Sequence, residues 1–447
     1  MTHRDLLRRH GLFDAKVPRF TSYPPANRFS PEVGGADRTR WLSDTPDRSD
    51  ISLYAHIPFC RRLCWFCACR TQGTKTDAPL ARYVASLLDE AEAVRAILPV
   101  RIRTRRLHLG GGTPTILPAA LMDRLLTGLA VRFGSADLDE FSVEIDPTEI
   151  DAERVAVLAA HGLNRASLGV QDFDPKVQEA IGRQQSVDDT RATAQMLANL
   201  GVTALNIDLL YGLPFQTRES LSRTLDDVVS LNPTRLALYG YAHVPWMSKR
   251  QQLIPSDALP GPEARFDLFQ DARARLLLEG FVEIGIDHFA RPGDSLAVAR
   301  DEGRLARSFQ GYTDDRVDRL IGLGASAISR FPEGYVQNHS ATARYQSEIA
   351  AGRSSSARGV RLTEADRAKG DIIEALMCYH AVSLDWLSDP VPEAADWLRD
   401  LAENAGDAVD FDGRRLSIRP WAHPLVRIFA ARLGRTAAGA QTYSAAI

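Results

Sequence analysis

Residues 51–70 read ISLYAHIPFCRRLCWFCACR, in which a short apolar run is followed at once by four cysteines. Cys60, Cys64 and Cys67 have the spacing CxxxCxxC, and Cys69 comes two residues later. Thiolates on so short a loop can converge on a metal centre, but they cannot form disulfides with one another without strain. The stretch therefore predicts a metal or cluster site directly after a β-strand.

The alternation of apolar runs and helical patterns continues along the chain. Runs rich in β-branched residues are separated by longer stretches with apolar residues at three- and four-residue spacing. Repeated βα units require parallel strands joined by helical crossovers. The pattern predicts an α/β fold, a partial (β/α) barrel with its site at the C-terminal ends of the strands. The predicted strands are 51–57, 105–110, 141–146, 165–170, 204–210, 235–241 and 282–287, and the predicted helices between them are 79–97, 119–132, 151–160, 187–199, 218–229 and 262–279.

The two ends of the chain differ from this repeat. Residues 1–45 contain prolines and glycines with little periodicity and predict an extended N-terminal arm over the barrel, which is expected at 46–335. Residues 336–447 predict a small C-terminal helical domain that is winged-helix-like. Its predicted elements are helices near 364–380, 391–404 and 422–433 and a hairpin at 410–420.

Composition narrows the functional class. The 447-residue chain is 45% hydrophobic and 25% charged, with a formal net charge of −3, so it can bury a large core and is not a general nucleic-acid-coating protein. No apolar run approaches the roughly 20 residues that span a bilayer, and the N-terminus lacks the apolar core of a signal peptide. We therefore expect a cytoplasmic protein without a membrane span, whose cysteines are kept as thiolates in a reducing compartment.

Polar motifs follow successive predicted strands. Because the C-terminal ends of parallel strands meet at one face of a barrel, we expect these motifs to converge in a single mouth. Glycine amides without side chains can approach a ligand carboxylate or ribose closely. The motifs are GGGTPT at 110–115, Glu144 with Asp146, Gln171 with Asp172, Asp208, and Tyr241 to His243.

Each motif also has a plainer interpretation. The cysteines could form a structural zinc site, but zinc normally takes four ligands in two separated pairs, so the spacing favours a cluster. The glycine run could be only a tight turn, and Asp146 before Pro147 could cap the next helix. Cys378 stands alone in a helical pattern and is predicted to be a core thiol.

The cysteine spacing, the aromatic Phe66 before Cys67 and the GGT turn together resemble the radical SAM superfamily. In that superfamily three thiolates hold a 4Fe-4S cluster and S-adenosylmethionine occupies the fourth iron. From about residue 18 to about residue 385, the chain resembles more narrowly the oxygen-independent coproporphyrinogen III oxidase family. The stretches that carry this resemblance include PRFTSYPPA at 18–26, LHLGGGTPT at 107–115, NIDLLYGLPFQT at 206–217 and IGIDHFARPGDS at 284–295.

The resemblance implies oxidative decarboxylation of the ring A and ring B propionates of coproporphyrinogen III to vinyl groups, which gives protoporphyrinogen IX in heme biosynthesis. It implies one 4Fe-4S cluster, two molecules of S-adenosylmethionine and a 5′-deoxyadenosyl radical, because a hydrogen on an unactivated carbon is beyond any general base at neutral pH. Two relatives stay open: a heme chaperone and a heme-degrading radical methyltransferase. Cys69 argues against the chaperone branch, which has an aromatic residue at this position.

The resemblance also assigns roles to individual residues. Cys60, Cys64 and Cys67 are the implied cluster ligands, whereas Cys69, Tyr54 and Glu144 are implied catalytic residues. The S-adenosylmethionine on the cluster is implied to contact Tyr54, Gly111, Glu144 and Ile328. A second molecule is implied to contact Phe66, Gly112, Thr113, Gln171, Arg183, Asp208 and Ala242, with Phe309 and Gln310 as further wall residues.

A substrate with four propionates should be bound by arginines, whose guanidinium groups match carboxylates in geometry and stay charged. The further expected partner is an electron donor such as flavodoxin or ferredoxin, and the chain is expected to be a monomer. Departures from the family pattern at Phe20, at Pro25 and within 423–447 leave open a paralogue with altered activity. The candidate substrate arginines are Arg19, Arg61, Arg62 and Arg291.

Overall fold

Strands and helices alternate through most of the computed structural model, which describes residues 2–434 and 443–447. The departure within 423–447 falls partly on residues 435–442, outside the described residues. The strands are β1 (Asp50–Ile57), β2 (Phe59–Cys60), β3 (Gln72–Gly73), β4 (Arg103–Gly111), β5 (Glu140–Ile145), β6 (Arg165–Gln171), β7 (Ala204–Tyr211), β8 (Arg235–Gly240), β9 (Val282–Ile284), β10 (His288–Ala290), β11 (Ala306–Ser308), β12 (Gly311–Thr313), β13 (Leu320–Leu323), β14 (Ile328–Phe331), β15 (Gly334–Asn338), β16 (Ser356–Arg361), β17 (Ala381–Ser383), β18 (Val409–Phe411) and β19 (Arg415–Ile418). The α-helices are α1 (His3–Arg9), α2 (Gly35–Ser43), α3 (Ala78–Ile97), α4 (Ala119–Phe133), α5 (Ala152–Ala160), α6 (Pro175–Ile181), α7 (Val187–Asn199), α8 (Arg218–Ser230), α9 (Pro262–Leu278), α10 (Ser295–Asp301), α11 (Thr342–Ala350), α12 (Glu364–Tyr379), α13 (Ala394–Ala405) and α14 (Val426–Leu433).

Parallel strands form the centre of the main sheet, in the order β13-β1-β4-β5-β6-β7-β8. Antiparallel strands β14 to β16 extend the sheet beyond β13, and β10 and β9 extend it beyond β8. Among the described residues this sheet has twelve strands, and its edge strands β16 and β9 do not pair with each other. The predicted partial (β/α) barrel is confirmed, with α3 to α8 in the crossovers between parallel strands.

The pleat of β6 and β7 decides which side chains enter the barrel. In β6 the buried residues are Ala166, Leu168 and Val170, and in β7 every second residue is likewise buried and apolar. Successive side chains of a strand point to opposite faces, so the intervening polar residues point to the other face, into the barrel. Ser167 and Asp208 are therefore interior residues because the apolar positions next to them pack against the helices.

The predicted division of the chain differs from the structure in two places. Strands β15 and β16 continue the main sheet to Arg361, so a boundary at residue 335 would cut that sheet. The N-terminal segment contains helices α1 and α2 in addition to extended chain, because Asp5 and Asp37 accept backbone N–H groups of their first turns. After β16, helices α12 to α14 pack with the small antiparallel sheet β17-β19-β18.

Across residues 2–434 and 443–447, no helix combines the length and the apolar composition that a bilayer crossing requires.

A buried polar cluster ties the N-terminal segment to the barrel. Glu90 of α3 accepts hydrogen bonds from Arg38 Nη1 at 2.7 Å, Asn338 Nδ2 at 2.8 Å and Tyr345 Oη at 2.8 Å. It also accepts the Gly324 N–H at 2.7 Å, at the turn between β13 and β14. The Arg38 and Glu90 side chains are 4% and 2% exposed, so water cannot replace a lost partner.

Glu90→Ala is expected to lower the free energy of unfolding by about 3–5 kcal/mol, because it leaves the Arg38 charge buried without a counterion. The matched control is Glu92→Ala on the same helix, since the Glu92 side chain is 66% exposed and its ion pair with Arg132 is expected to contribute about 1 kcal/mol or less. Urea denaturation followed by tryptophan fluorescence would compare the two variants. Equal, small losses of unfolding free energy in the two variants would contradict the stabilising role of the buried polar cluster around Glu90.

Candidate active site

The cysteine loop leaves the C-terminal end of β1 and is held in place from two sides. The Trp65 N–H donates to Ile181 O at 2.9 Å, at the end of α6. Gln251 Nε2 donates to Phe66 O at 2.7 Å from the segment that follows β8. The loop is thereby fixed over the barrel mouth. Its residues that line a cavity of about 390 Å³ include Cys60, Cys64, Cys67 and Cys69.

The four thiols of this loop do not share one environment. The Cys69 N–H donates to Cys67 Sγ at 3.4 Å, and the bond from the Cys69 thiol is the main cause that lowers the pKa of Cys67 to about 6. The same bond and the charge of Cys67 raise the pKa of Cys69. Burial raises the pKa of Cys60 to about 11. Within this pair the thiolate is thereby favoured at Cys67 over Cys69.

The donor set fits a 4Fe-4S cluster. Within the described residues, no three His, Cys, Asp or Glu side chains are placed to share a single metal ion. Cys60, Cys64 and Cys67 instead border an open volume, and thiolates are the ligands that iron–sulfur clusters take. Arg183 Nη1 lies 3.5 Å from Cys64 Sγ and places a positive charge beside this set of thiols. The three cysteines would hold the cluster, with Cys69 beside them.

The glycine turn after β4 brings backbone against this cavity. Gly111 has φ +115°, a conformation that L side chains rarely adopt, and its N–H donates to Glu144 Oε2 at 2.9 Å. A Cβ added to Gly112 would lie 2.6 Å from Phe59 O. Both positions require glycine, and the turn closes on the cysteine loop and on Glu144. The functional interpretation of the glycine run therefore fits better than a generic tight turn.

Glu144 presents its carboxylate to the cavity from the end of β5, with 40% of the side chain exposed. His108 Nε2 lies 3.4 Å from Glu144 Oε1, and the ring of Tyr54 stacks on His108 with centroids 5.6 Å apart. Burial opposes ionisation of Glu144, but His108 and the Gly111 N–H outweigh it and hold the pKa below its usual value. An ionised carboxylate here suits an ammonium group or ribose hydroxyls.

Asp208 on β7 and Gln171 on β6 form a further polar part of the wall of the cysteine cavity. Asp208 accepts from Ser167 Oγ at 3.0 Å and from Asn206 Nδ2 at 2.8 Å. Burial and the charge of Glu144 raise the pKa of Asp208 in spite of these bonds. Gln171 has φ +71° beside an irregularity in the pairing of β6 with β7. Such backbone conformations are uncommon for a long side chain and cluster at binding sites.

Arg183 contributes a buried positive charge to the same wall. Its guanidinium lies 3.1 Å from Asp146 and donates to Gly169 O at 2.6 Å, whereas Arg183 Nε has no hydrogen-bond partner among the described residues. Burial opposes the charge, but Asp146 and Cys64 raise the pKa of Arg183. Asp146 also accepts the Thr148 N–H at 3.0 Å in the turn after β5, but the N-cap of α5 is Asp151, so the helix-cap interpretation of Asp146 is wrong.

The structure brings together most, but not all, of the predicted site residues. Ala242 and Phe309 line a second, larger cavity and not the cysteine cavity. Tyr54 and Ile328 line neither, since Tyr54 lies behind the wall against His108 and Ile328 lies in β14. The predicted residues that line the cysteine cavity, besides the cysteines, are Phe66, Gly111, Gly112, Thr113, Glu144, Gln171, Arg183, Asp208 and Gln310.

The larger cavity has a volume of about 850 Å³ and lies between the barrel mouth, the N-terminal segment and the C-terminal unit. Aromatic side chains such as Phe266, Phe269 and Trp421 form part of its wall. The two cavities share part of their lining, so a ligand in one would lie beside a ligand in the other. The shared residues include Phe66, Cys67, Cys69, Gln171, Tyr239, His288 and Gln310.

Arginines without carboxylate partners line the larger cavity. Arg307 Nε donates to Phe20 O at 3.1 Å, and Arg265 Nη2 donates to Tyr241 O at 2.7 Å. Among the described residues, Arg307 Nη1 and Arg265 Nε have no hydrogen-bond partner. Their neighbours Arg19 and Arg427 donate to backbone carbonyls alone within the described part of the chain.

Burial of these guanidinium groups raises the free-energy cost of keeping them charged. Burial, followed by the charge of Arg19, lowers the pKa of Arg427 to about 9, and burial lowers the pKa of Arg265. The carboxylate of Asp287 lies in the same cavity but accepts a hydrogen bond from His288 Nδ1 at 2.7 Å. A ligand with several carboxylates would therefore be stabilised here by buried guanidinium groups.

Only part of the predicted arginine set faces a cavity. Arg19 lines the larger cavity, and Arg62 lines the cysteine cavity. Arg61 and Arg291 line neither cavity, and the Arg291 guanidinium packs 3.9 Å from the ring centre of Phe281. Arginine is abundant in this chain, so residue type alone did not separate the arginines that line a cavity from those that do not. Sequence reasoning missed the cavity arginines Arg265, Arg307 and Arg427, for which the only local signal is that Arg307 lies two residues before Phe309.

Comparison with known proteins agrees with this geometry. Residues 54–228 match the Radical SAM superfamily. The chain is 50% identical to the oxygen-independent coproporphyrinogen III oxidase of Paracoccus denitrificans, with 100% of each chain covered. It is 42% identical to the enzyme of the same name from Bradyrhizobium diazoefficiens, with 94% of each covered. This chain belongs to the oxygen-independent coproporphyrinogen III oxidase family.

The solved coproporphyrinogen III oxidase of Escherichia coli, a radical SAM enzyme, has the same fold. It superposes with a TM-score of 0.87 at 35% identity and covers 93% of this chain and 99% of that one. The predicted fold class, the family resemblance and the assignment as an oxidoreductase are confirmed. Membership in the oxygen-independent coproporphyrinogen III oxidase family implies a 4Fe-4S cluster and S-adenosylmethionine as cofactors.

Proposed function

We propose that this chain converts the propionates on rings A and B of coproporphyrinogen III to vinyl groups and so forms protoporphyrinogen IX without oxygen. Each converted side chain loses one hydrogen atom, one carbon dioxide and one electron. When bound, the 4Fe-4S cluster and S-adenosylmethionine supply the radical chemistry that removes a hydrogen from an unactivated carbon. The chain's own residues bind the substrate and the cofactors, orient them and exclude water.

The arginine-lined cavity is the observation that carries this proposal. Four buried or half-buried guanidinium groups, with no carboxylate partner among the described residues, complement a substrate that carries four carboxylates. The volume of about 850 Å³ lies within the range of pockets that enclose ligands of this size. Because the two cavities share part of their wall, a propionate bound here would lie beside the proposed cofactor site. The four groups belong to Arg19, Arg265, Arg307 and Arg427.

We also propose that the cysteine cavity takes two molecules of S-adenosylmethionine. Glu144 and the Gly111 turn would orient the first, because an ionised carboxylate accepts from its ammonium group or ribose. Arg183 and Asp208 would orient the second through its carboxylate and its hydroxyls. The chain is further proposed to act as a cytoplasmic monomer that receives electrons from a carrier protein.

An anaerobic assay with the reconstituted protein, coproporphyrinogen III, S-adenosylmethionine and a chemical reductant tests the proposed reaction. Vinyl product, identified by mass and by its absorption after oxidation to the porphyrin, is the expected result. Stable binding of heme without turnover would support a heme chaperone instead. A methylated, ring-opened product would support the heme-degrading methyltransferase.

Arg19→Ala is expected to weaken coproporphyrinogen III binding by roughly tenfold, the equivalent of one lost charge-assisted hydrogen bond. Reductive cleavage of S-adenosylmethionine without substrate should stay measurable, because Arg19 does not line the cysteine cavity. Arg40→Ala, in the same N-terminal segment but with a side chain 58% exposed, is the matched control. Unchanged affinity in the Arg19 variant would remove this residue from the substrate site.

A further inference from the structure

An exposed apolar patch lies on the outside of the cysteine loop. We define the patch by Trp246, Met247, Leu253 and Phe215, which are 54%, 70%, 58% and 41% exposed. None of the four lines either cavity. Large apolar side chains exposed as neighbours are typical of interaction sites, and Trp246 and Met247 are adjacent in the chain. The patch therefore requires an explanation other than packing or ligand binding within the barrel.

The segment that carries most of the patch is bonded directly to the cysteine loop. Ser248 Oγ donates to Cys67 O at 3.0 Å, one residue after Met247. Arg250 Nη2 donates to Cys69 O at 3.1 Å, three residues before Leu253. A molecule seated on the patch would thus lie next to the loop that would hold the cluster.

Phe215 extends the patch from a neighbouring loop. The Phe215 N–H donates to Ala258 O at 3.0 Å, which joins this loop to the segment after β8. Its φ of +61° is an outlier for a bulky side chain. The ring is 41% exposed, and Lys176 Nζ lies 4.3 Å from its centre. An aromatic ring and a cation therefore lie side by side at the surface.

The surroundings of the patch are basic, although the chain as a whole has a formal net charge of −3. Segment 60–77 carries four Lys or Arg residues, of which Arg61 pairs with Asp77 and Arg62 with Asp146, which leaves Arg70 and Lys75 as its surface cations. Segment 244–258 carries two cations and one carboxylate. Lys249 and Arg70 are among the exposed cations. An apolar centre with a cationic rim complements an acidic partner that has an apolar contact area.

We propose that this patch is the docking surface for an acidic one-electron carrier protein. The inference rests on the proposed function, in which a cluster on this loop must be reduced from outside the chain. The reduced carrier loses one electron and the cluster gains it, so no bond is made or broken at the surface. Charge complementarity sets the orientation of the carrier, and the apolar contact holds it beside the cysteine loop.

The test is the affinity of the reconstituted protein for a purified, acidic bacterial flavodoxin, measured anaerobically by titration calorimetry. The double variant Trp246→Ala, Met247→Ala is expected to weaken binding about tenfold, as loss of central aromatic contacts does. Lys249→Glu is expected to weaken binding further at low salt, and this effect should shrink as the salt concentration rises. Trp386→Ala, which removes a tryptophan 46% exposed on the C-terminal unit, is the matched control and should bind like the wild type.

A second measurement separates this proposal from the proposed function. Dithionite-driven cleavage of S-adenosylmethionine should be unchanged in the patch variants, whereas flavodoxin-driven cleavage should fall with the affinity. Equal flavodoxin affinity in wild type and patch variants would overturn the docking surface. A wild-type dimer that the patch variants convert to a monomer, seen by sedimentation velocity, would assign the patch to a second copy of the chain. Failure of the dithionite-driven coproporphyrinogen reaction in the wild type would instead refute the proposed function.

Discussion

Cys67→Ser is expected to abolish cluster binding, whereas Cys69→Ser is expected to retain the cluster and lose roughly ten- to hundredfold of the turnover. The two residues are neighbours on one loop, but their surroundings differ. Both residues line the two cavities, but Cys67 accepts from the Cys69 N–H and thiol, which favours its thiolate, and Cys69 acts as the donor. Iron content and the visible absorption of the reconstituted protein measure the first effect, and vinyl formation measures the second.

Cys378→Ala is the control for this pair. Cys378 is 3% exposed in α12 and packs in the core, as its helical pattern predicts, so neither iron content nor turnover should change beyond a modest loss of stability. Loss of iron in the Cys69 variant would make Cys69 a cluster ligand. Full turnover in that variant would remove it from the reaction altogether.

Arg307→Ala is expected to weaken coproporphyrinogen III binding by roughly a hundredfold, about 3 kcal/mol, which is the upper range for a lost charged hydrogen bond. The guanidinium is buried, and its Nη1 has no partner among the described residues, so a substrate carboxylate would meet a donor that is already desolvated. Equilibrium binding of coproporphyrinogen III under anaerobic conditions measures the affinity. The loss should appear in KM more than in kcat, because Arg307 lines the larger cavity and not the cysteine cavity.

Two further variants make the Arg307 result specific. Arg291→Ala is the matched control, since Arg291 packs on Phe281 outside both cavities and should keep wild-type affinity. Arg307 also donates to Phe20 O and Arg19 O in the N-terminal segment. Arg307→Lys, which keeps the charge but not the forked geometry, should fall between wild type and Arg307→Ala. Equal affinities in all four proteins would show that the larger cavity does not bind the propionates.

Much of the fold could be predicted because its signals are local. The spans Asp50–Ile57, Ala204–Tyr211 and Val187–Asn199 agree with the predicted strands and helix to within one residue, since period-2 and period-3.6 apolar patterns specify them. The continuation of the sheet to Arg361 was not predicted, because β15 and β16 are short antiparallel strands recognised only by the neighbours they pair with. Helix α1 was missed for a similar reason, as seven residues carry little periodicity.

The sequence by itself determined the chemistry of this protein. Spacing alone predicts that Cys60, Cys64 and Cys67 are metal ligands, because thiols three and four residues apart on a loop can converge on one centre. Strand ends likewise predict Glu144 and Asp208 as site residues, since parallel strands deliver their C-terminal ends to one mouth. These inferences use only the positions of residues along the sequence.

Only the tertiary structure decided which arginines face the larger cavity. Arg19, Arg265, Arg307 and Arg427 come from segments more than 400 residues apart at the extremes, and no local pattern links them. Whether each is solvated or buried depends on how the N-terminal segment and the C-terminal unit close over the barrel mouth. A guanidinium binds a carboxylate strongly only when that closure removes water and leaves the group without a partner.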